Sequence, residues 1–153
     1  MITTNNLKTK LYIQCQEFID TRLKAIQNTI NEIQESLTSE TKSSAGDKHE
    51  TGRAMLQLER EKAGQQLAEI QKINQVLSKI DVSKTSSVIG LGSVVFTTQA
   101  NYFIAISAGE IKAQNQLFYA ISANTPIAKL LLGKQVGDYI EFRNQVFEII
   151  KII

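Results

Sequence analysis

Ser43-Ser44-Ala45-Gly46-Asp47-Lys48-His49-Glu50 is a short polar stretch between two long apolar seams, and its reading decides the fold. Before it, apolar residues fall at Tyr12, Ile19, Ile26 and Ile33, with Leu23, Ile30 and Leu37 interleaved at alternating spacings of four and three. Such a stripe is a heptad seam on a helix. No proline or glycine occurs from residue 1 to 45, so nothing interrupts a helix of about ten turns. A second seam runs through Leu56, Ala63, Leu67, Ile70, Ile73 and Leu77 and ends near Ile80, with Gly64 as its only weak helix former. Neither helix can bury its stripe alone, and a connection as short as residues 41–49 predicts an antiparallel hairpin.

After Ile80 the pattern changes. Asp-Val-Ser-Lys-Thr-Ser-Ser is a polar connector, and β-branched and aromatic residues dominate beyond it. Strands are predicted over 93–98, 101–107, 116–121, 139–142 and 146–152, with Gln-Ala-Asn and Ala-Gly-Glu read as turns. One short helix, 126–132, interrupts them. Pro126 stands near its first position, Thr125 or Asn124 caps it, and Gly133 follows its end. The expected class is α+β: a coiled-coil hairpin over 1–82 with its tip at 41–50, then a small module over 83–153 with its own core.

Composition narrows the function. Seventeen Lys and Arg against fifteen Asp and Glu leave a net charge of +2, too small to draw nucleic acid or membrane by bulk charge. Residues 1–82 carry eleven basic and eleven acidic side chains, and residues 83–153 carry six and four. Any anionic partner is therefore recognised locally. A single cysteine, Cys15, excludes an intrachain disulfide, and with one histidine it cannot build a structural zinc site. No secretory signal and no apolar run of about 20 residues is visible, so a soluble, cytoplasmic protein is expected.

The chemistry concentrates at the tip. Asp47 and Glu50 are three residues apart, so on a helical turn both carboxylates point to one side. Two such oxygen donors could share a Mg²⁺ whose remaining ligands come from water or a partner. The same Asp-x-x-Glu spacing is also a capping-box pattern, and the residues alone leave both uses open. His49 reads as a solvated tip residue and Cys15 as packing beside the first seam. Tyr102, Phe103, Phe118, Tyr119, Phe142 and Phe147 read as strand packing. There is no phosphate-cradling glycine loop and no nucleophile set, so nothing reads as a self-contained enzyme or as a small-molecule site.

The stretch Ile121-Ser122-Ala123-Asn124-Thr125-Pro126-Ile127-Ala128-Lys129-Leu130-Leu131-Leu132-Gly133-Lys134, followed by Gly137-Asp138, resembles the C-terminal signature of Gre-type transcription elongation factors. Gly92-Ser93-Val94-Val95 is similar to the first strand of that domain, and Gly46-Asp47-Lys48-His49-Glu50 has the spacing of the family's acidic tip. The resemblance covers nearly the whole chain. It implies an FKBP-like C-terminal domain that docks on RNA polymerase, with Asn124, Thr125, Pro126, Ile127 and Lys129 as partner-binding residues. It also implies a coiled coil that enters the polymerase secondary channel. There Asp47 and Glu50 would help hold the polymerase's second catalytic Mg²⁺ and stimulate cleavage of backtracked RNA, with no cofactor of the chain's own and nucleic acid met only through the polymerase. Two other readings stay open: a channel regulator that does not stimulate cleavage, and a structural coiled-coil interaction protein.

Overall fold

The computed structural model describes the backbone of residues 2–42 and 47–153 and the side chains of residues 6–39 and 51–153. Two long helices, α1 (Ile2–Lys42) and α2 (Asp47–Ser78), precede a six-stranded sheet. They extend further toward each other than residues 41–49 read as a loop would allow. Backbone on both sides of residues 43–46 is helical, and those four residues lie outside the described ones. At 1.5 Å per residue, the 32 residues of α2 amount to about 48 Å of helix. Gly52 lies inside α2 together with Gly64, which the seam reading alone did not require.

The chain divides into two compact units, Ile19–Asn74 and the pair of segments Met1–Phe18 and Gln75–Ile153. Within the first unit the heptad stripe is the buried one: Ile26, Ile33, Ala63 and Ile70 are buried, and Leu23, Ile30, Leu37, Leu56 and Leu67 are half-buried beside them. Charged and polar side chains take most of the rest of each helical surface, as a two-helix seam requires, with Met55 and Leu58 as exposed apolar exceptions on α2.

Within the second unit the spacing on α1 changes. Leu7, Leu11 and Cys15 are buried at intervals of four rather than alternating four and three. Tyr12, the first seam residue by sequence, is instead half-buried, and its hydroxyl donates to the carbonyl of Leu77 at 3.2 Å. Cys15 is fully buried, and burial pushes its thiol pKa up to about 12. A neutral, inert thiol in the packing is the result.

The sheet contains β1 (Val94–Thr97), β2 (Asn101–Ala105), β3 (Gly109–Ala113), β4 (Gln116–Ser122), β5 (Tyr139–Phe142) and β6 (Gln145–Ile152), in the order β3-β4-β2-β1-β6-β5. Five strands were expected and six form. The extra one, β3, begins at the glycine of the Ala-Gly-Glu read as a turn and buries only Ile111 and Ala113, which leaves too few apolar positions for a strand pattern. Among the described residues only β2 and β4 pair in parallel, and β3 lies outside them on the edge.

Helix α3 (Pro126–Leu131) lies over one face, where Ile127, Ala128 and Leu131 join Val95, Ile104, Ile140, Phe147 and Ile149 in one buried cluster. Register puts Val94, Phe103 and Ala120 on the opposite face, together with Phe96 and Phe118, whose rings meet edge to face at 5.6 Å. Between β1 and β6 the register shifts, because Phe96 faces Lys151 while Thr97 faces Ile149. Ile150 is the extra residue of that bulge, and it is exposed.

Candidate functional site

Two places in the fold hold the residues to which the sequence points, and the structure adds a third. At the start of α2, Asp47 is the first helical residue and Glu50 stands three positions on, in the first turn. Their side chains, and that of His49, lie outside the described residues. Helical backbone at both positions puts the two residues on neighbouring sites of one helix face, at the end where the helix dipole favours negative charge. Two carboxylates are hard oxygen donors of the kind Mg²⁺ accepts, and they leave most of an octahedral shell to other ligands. Among the described residues there is no group of three or more His, Cys, Asp or Glu side chains placed to hold a metal.

The second place is α3. Thr125 has an extended backbone, and its hydroxyl accepts from the Ala128 amide at 3.3 Å while donating to the Ser122 carbonyl at 2.8 Å. One side chain thus closes the first turn and ties it to the end of β4. Pro126 occupies the first helical position, where no amide is required. Ile127 is buried in the core, whereas Asn124, Pro126 and Lys129 are exposed. Past the helix, Gly133 takes φ +82° and its amide donates to the Ile89 carbonyl at 2.9 Å, while the Ile89 amide donates to the Lys134 carbonyl at the same distance. Gly137 takes φ +95°, and Asp138 accepts from the Gln135 amide at 2.8 Å. The glycines and the threonine of this stretch are therefore structural devices, and the exposed Asn124, Pro126 and Lys129 are what it offers to a partner.

The third place was not legible in the sequence. Gln14, on α1, donates to the carbonyl of Lys112 on β3 at 2.6 Å and accepts from the Lys112 amide at 3.3 Å. Lys8, the one buried charged residue among the described ones, donates from Nζ to the Lys84 carbonyl at 2.7 Å. Burial lowers its pKa, and the neighbouring Asp81 carboxylate opposes that shift. A polar residue on a helix gives no sequence signal for a partner 98 positions away.

No helix among the described residues is long and apolar enough to cross a membrane. No protein-family model matches the chain, and no curated protein matches it. Among solved structures, the chain is similar to the GreA factor homolog 1 (Gfh1) protein of Thermus thermophilus, with 20% identity, 90% of this chain and 93% of that one covered, and a TM-score of 0.36. A second structure, of the transcription factor Gfh1, is 21% identical, with 89% and 91% of the two chains covered and a TM-score of 0.34. At TM-scores below 0.5, neither likeness places a residue or a role on this chain.

Proposed function

We propose that this chain is a Gre-type accessory factor of RNA polymerase. The module over 83–153 docks on the polymerase, and the hairpin presents Asp47 and Glu50 within the secondary channel. There the two carboxylates help hold a catalytic Mg²⁺ of the polymerase, which supplies Lewis-acid stabilisation when bound, and cleavage of backtracked RNA is stimulated. The observation that carries this reading is the placement of Asp47-x-x-Glu50: α2 opens on Asp47, with four residues between it and the end of α1 at Lys42. The capped helix α3, formed by the Asn-Thr-Pro-Ile-Ala stretch of the family resemblance, supports it.

The decisive measurement is transcript cleavage in defined backtracked complexes with purified polymerase. Asp47→Ala combined with Glu50→Ala should abolish stimulation while polymerase binding persists. A double variant that cleaves as well as the parent would remove the metal role, and a parent chain that does not bind polymerase would return the hairpin to a structural coiled coil.

One observation favours a second reading. Lys48 and Arg53 stand within two turns of the acidic pair, with His49 between them, and cations at that distance weaken a field directed at a metal. A factor that occupies the channel without stimulating cleavage would bind polymerase and leave cleavage unenhanced at every Mg²⁺ concentration.

A further inference from the structure

The two edges of the sheet end in the same local geometry and are treated in opposite ways. Both edge hairpins, β3–β4 and β5–β6, close through two residues with positive φ: Gln114 (52°) and Asn115 (61°), and Arg143 (52°) and Asn144 (64°). The residues flanking each turn face each other, Ala113 with Gln116 and Phe142 with Gln145. In a two-residue hairpin that flanking pair exchanges both hydrogen bonds, and the residue before it turns its N–H and C=O away from the partner strand. On β3 this residue is Lys112, and its two groups are taken by Gln14. On β5 the counterpart is Glu141, followed at the next outward position by Tyr139. No described residue is hydrogen-bonded to the outward backbone groups of either one.

Natural sheets blunt an open edge with shortness, charged side chains, proline, a bulge or a covering element. β5 is short, four residues, and its one charged side chain is Glu141; it has no lysine, proline or bulge. Its edge is instead apolar and acidic: Tyr139 is 66% exposed, and Val146, which faces Glu141, is 64% exposed. Three of the four acidic residues in 83–153, Asp138, Glu141 and Glu148, lie on or directly beside this strand. The cation next along the chain, Arg143, is stacked over the Phe142 ring at 5.0 Å.

We infer that β5 is a docking edge for an extended segment of another protein, in which basic residues alternate with apolar ones. The outward N–H and C=O of Tyr139 and Glu141 supply ladder hydrogen bonds to the incoming strand. Side chains directly opposite these two residues share their face of the sheet, so lysine or arginine belongs there, against Glu141 and Glu148, while the alternate apolar residues extend the face of Ile140 and Phe142. A second copy of this chain fits less well, because it brings a strand bordered by Asp138, Glu141 and Glu148 against the same three acidic residues.

This inference does not rest on the polymerase reading, and its test needs no polymerase. The full-length chain is titrated with the peptide Lys-Val-Lys-Val-Lys-Val-Lys and, separately, with Glu-Val-Glu-Val-Glu-Val-Glu, both blocked at their ends, while backbone amide resonances and their exchange rates are followed. The lysine peptide should perturb β5 and slow exchange at Tyr139 and Glu141, and the glutamate peptide should not. Glu141→Pro deletes an N–H that β6 does not use and should weaken binding at least about tenfold. Glu141→Lys keeps every ladder bond and should reverse the preference between the peptides, so it decides the matter even if the proline variant does not fold. Binding that leaves Tyr139 and Glu141 exchange unchanged, or that survives Glu141→Lys, overturns the inference. So does self-association of the parent that Glu141→Pro abolishes, since the occupant is then a second copy.

Discussion

The carboxamide of Gln14 pairs with the backbone of Lys112 as a neighbouring strand would, donating to its carbonyl at 2.6 Å and accepting from its amide at 3.3 Å. A helix side chain thereby finishes the β3 edge of the sheet and fixes α1 against it. The site is exposed, so water replaces much of what is lost on truncation, and Gln14→Ala should cost only about 1 kcal/mol. Exchange at the Lys112 amide should quicken more than exchange at Ile111, whose hydrogen bonds run to β4. Gln14→Glu keeps an acceptor but loses the donor and sets a carboxylate against a carbonyl, so it should destabilise at least as much as the alanine. Urea unfolding and amide exchange on both variants check this, and an unchanged Lys112 exchange rate would remove the edge-capping role.

Gly92 tests how closely the connector and the sheet approach. Its φ is +88°, and a Cβ there would sit 3.0 Å from Cγ2 of Ile80. Gly133 has a nearly equal φ of +82° with nothing within 4 Å of the added atom. Gly133→Ala therefore reports the backbone cost alone, about 1–2 kcal/mol. Gly92→Ala adds overpacking against a buried isoleucine and should cost about 1–3 kcal/mol more. Urea midpoints of the two variants give the steric part by difference. Equal losses would show that Ile80 yields freely.

The long elements were readable because their signals repeat. Six of the seven heptad positions read on α1 and all six on α2 agree on one buried stripe, and the Thr125, Pro126 and Gly133 punctuation of α3 is local chemistry that any context preserves. What escaped was set by tertiary partners. Strand β3 has two inward residues and owes its place to β4 on one side and Gln14 on the other. Tyr12 leaves the seam because its hydroxyl reaches the Leu77 carbonyl. Lys8 lies among buried residues because the Lys84 carbonyl meets its ammonium group, a pairing 76 positions apart in sequence. Of the tip, the Asp47 and Glu50 spacing was legible and its helical backbone follows, whereas the role proposed for the pair depends on a partner's metal.

Thr125 separates a structural from a recognition role within the α3 stretch. Its hydroxyl both caps the helix and holds Ser122, so Thr125→Ala should cost about 1–2 kcal/mol and Thr125→Ser should restore most of it. Lys129 is exposed on the same helix, and Lys129→Ala should leave stability within about 0.5 kcal/mol. On the proposed function, polymerase binding should follow the opposite order at temperatures well below unfolding. Lys129→Ala weakens it and Thr125→Ser does not. Thermal unfolding and polymerase binding measured on all three variants separate the two roles, and equal binding by Lys129→Ala and the parent would take Lys129 out of the docking surface.

Lys8 gives the chain an alkaline signature. Burial lowers its pKa from the usual 10.5, and the Asp81 carboxylate recovers only part of that shift. The folded chain therefore loses this proton at lower pH than the unfolded chain does. Between the lowered value and 10.5 the unfolded state binds more protons, so stability rises with pH across that window, and below it the cost of the buried cation is constant. Asp81 acts on the acid side, where hydrogen bonds from Ser83 hold its carboxyl below the usual 3.8. Its contribution is complete above that value and is lost as pH falls through the lowered one. Lys8→Met keeps the side-chain length and removes the titration, although it leaves the Lys84 carbonyl without its donor. The parent's urea midpoint, less that of Lys8→Met, should stay level near neutral pH and climb toward pH 10.5, whereas Asp81→Asn should remove the acid limb and, by taking away the charge that holds the Lys8 pKa up, start the alkaline climb at lower pH. A difference that stays level through the alkaline range would mean that the Lys8 ammonium group is solvated in the folded chain despite its burial.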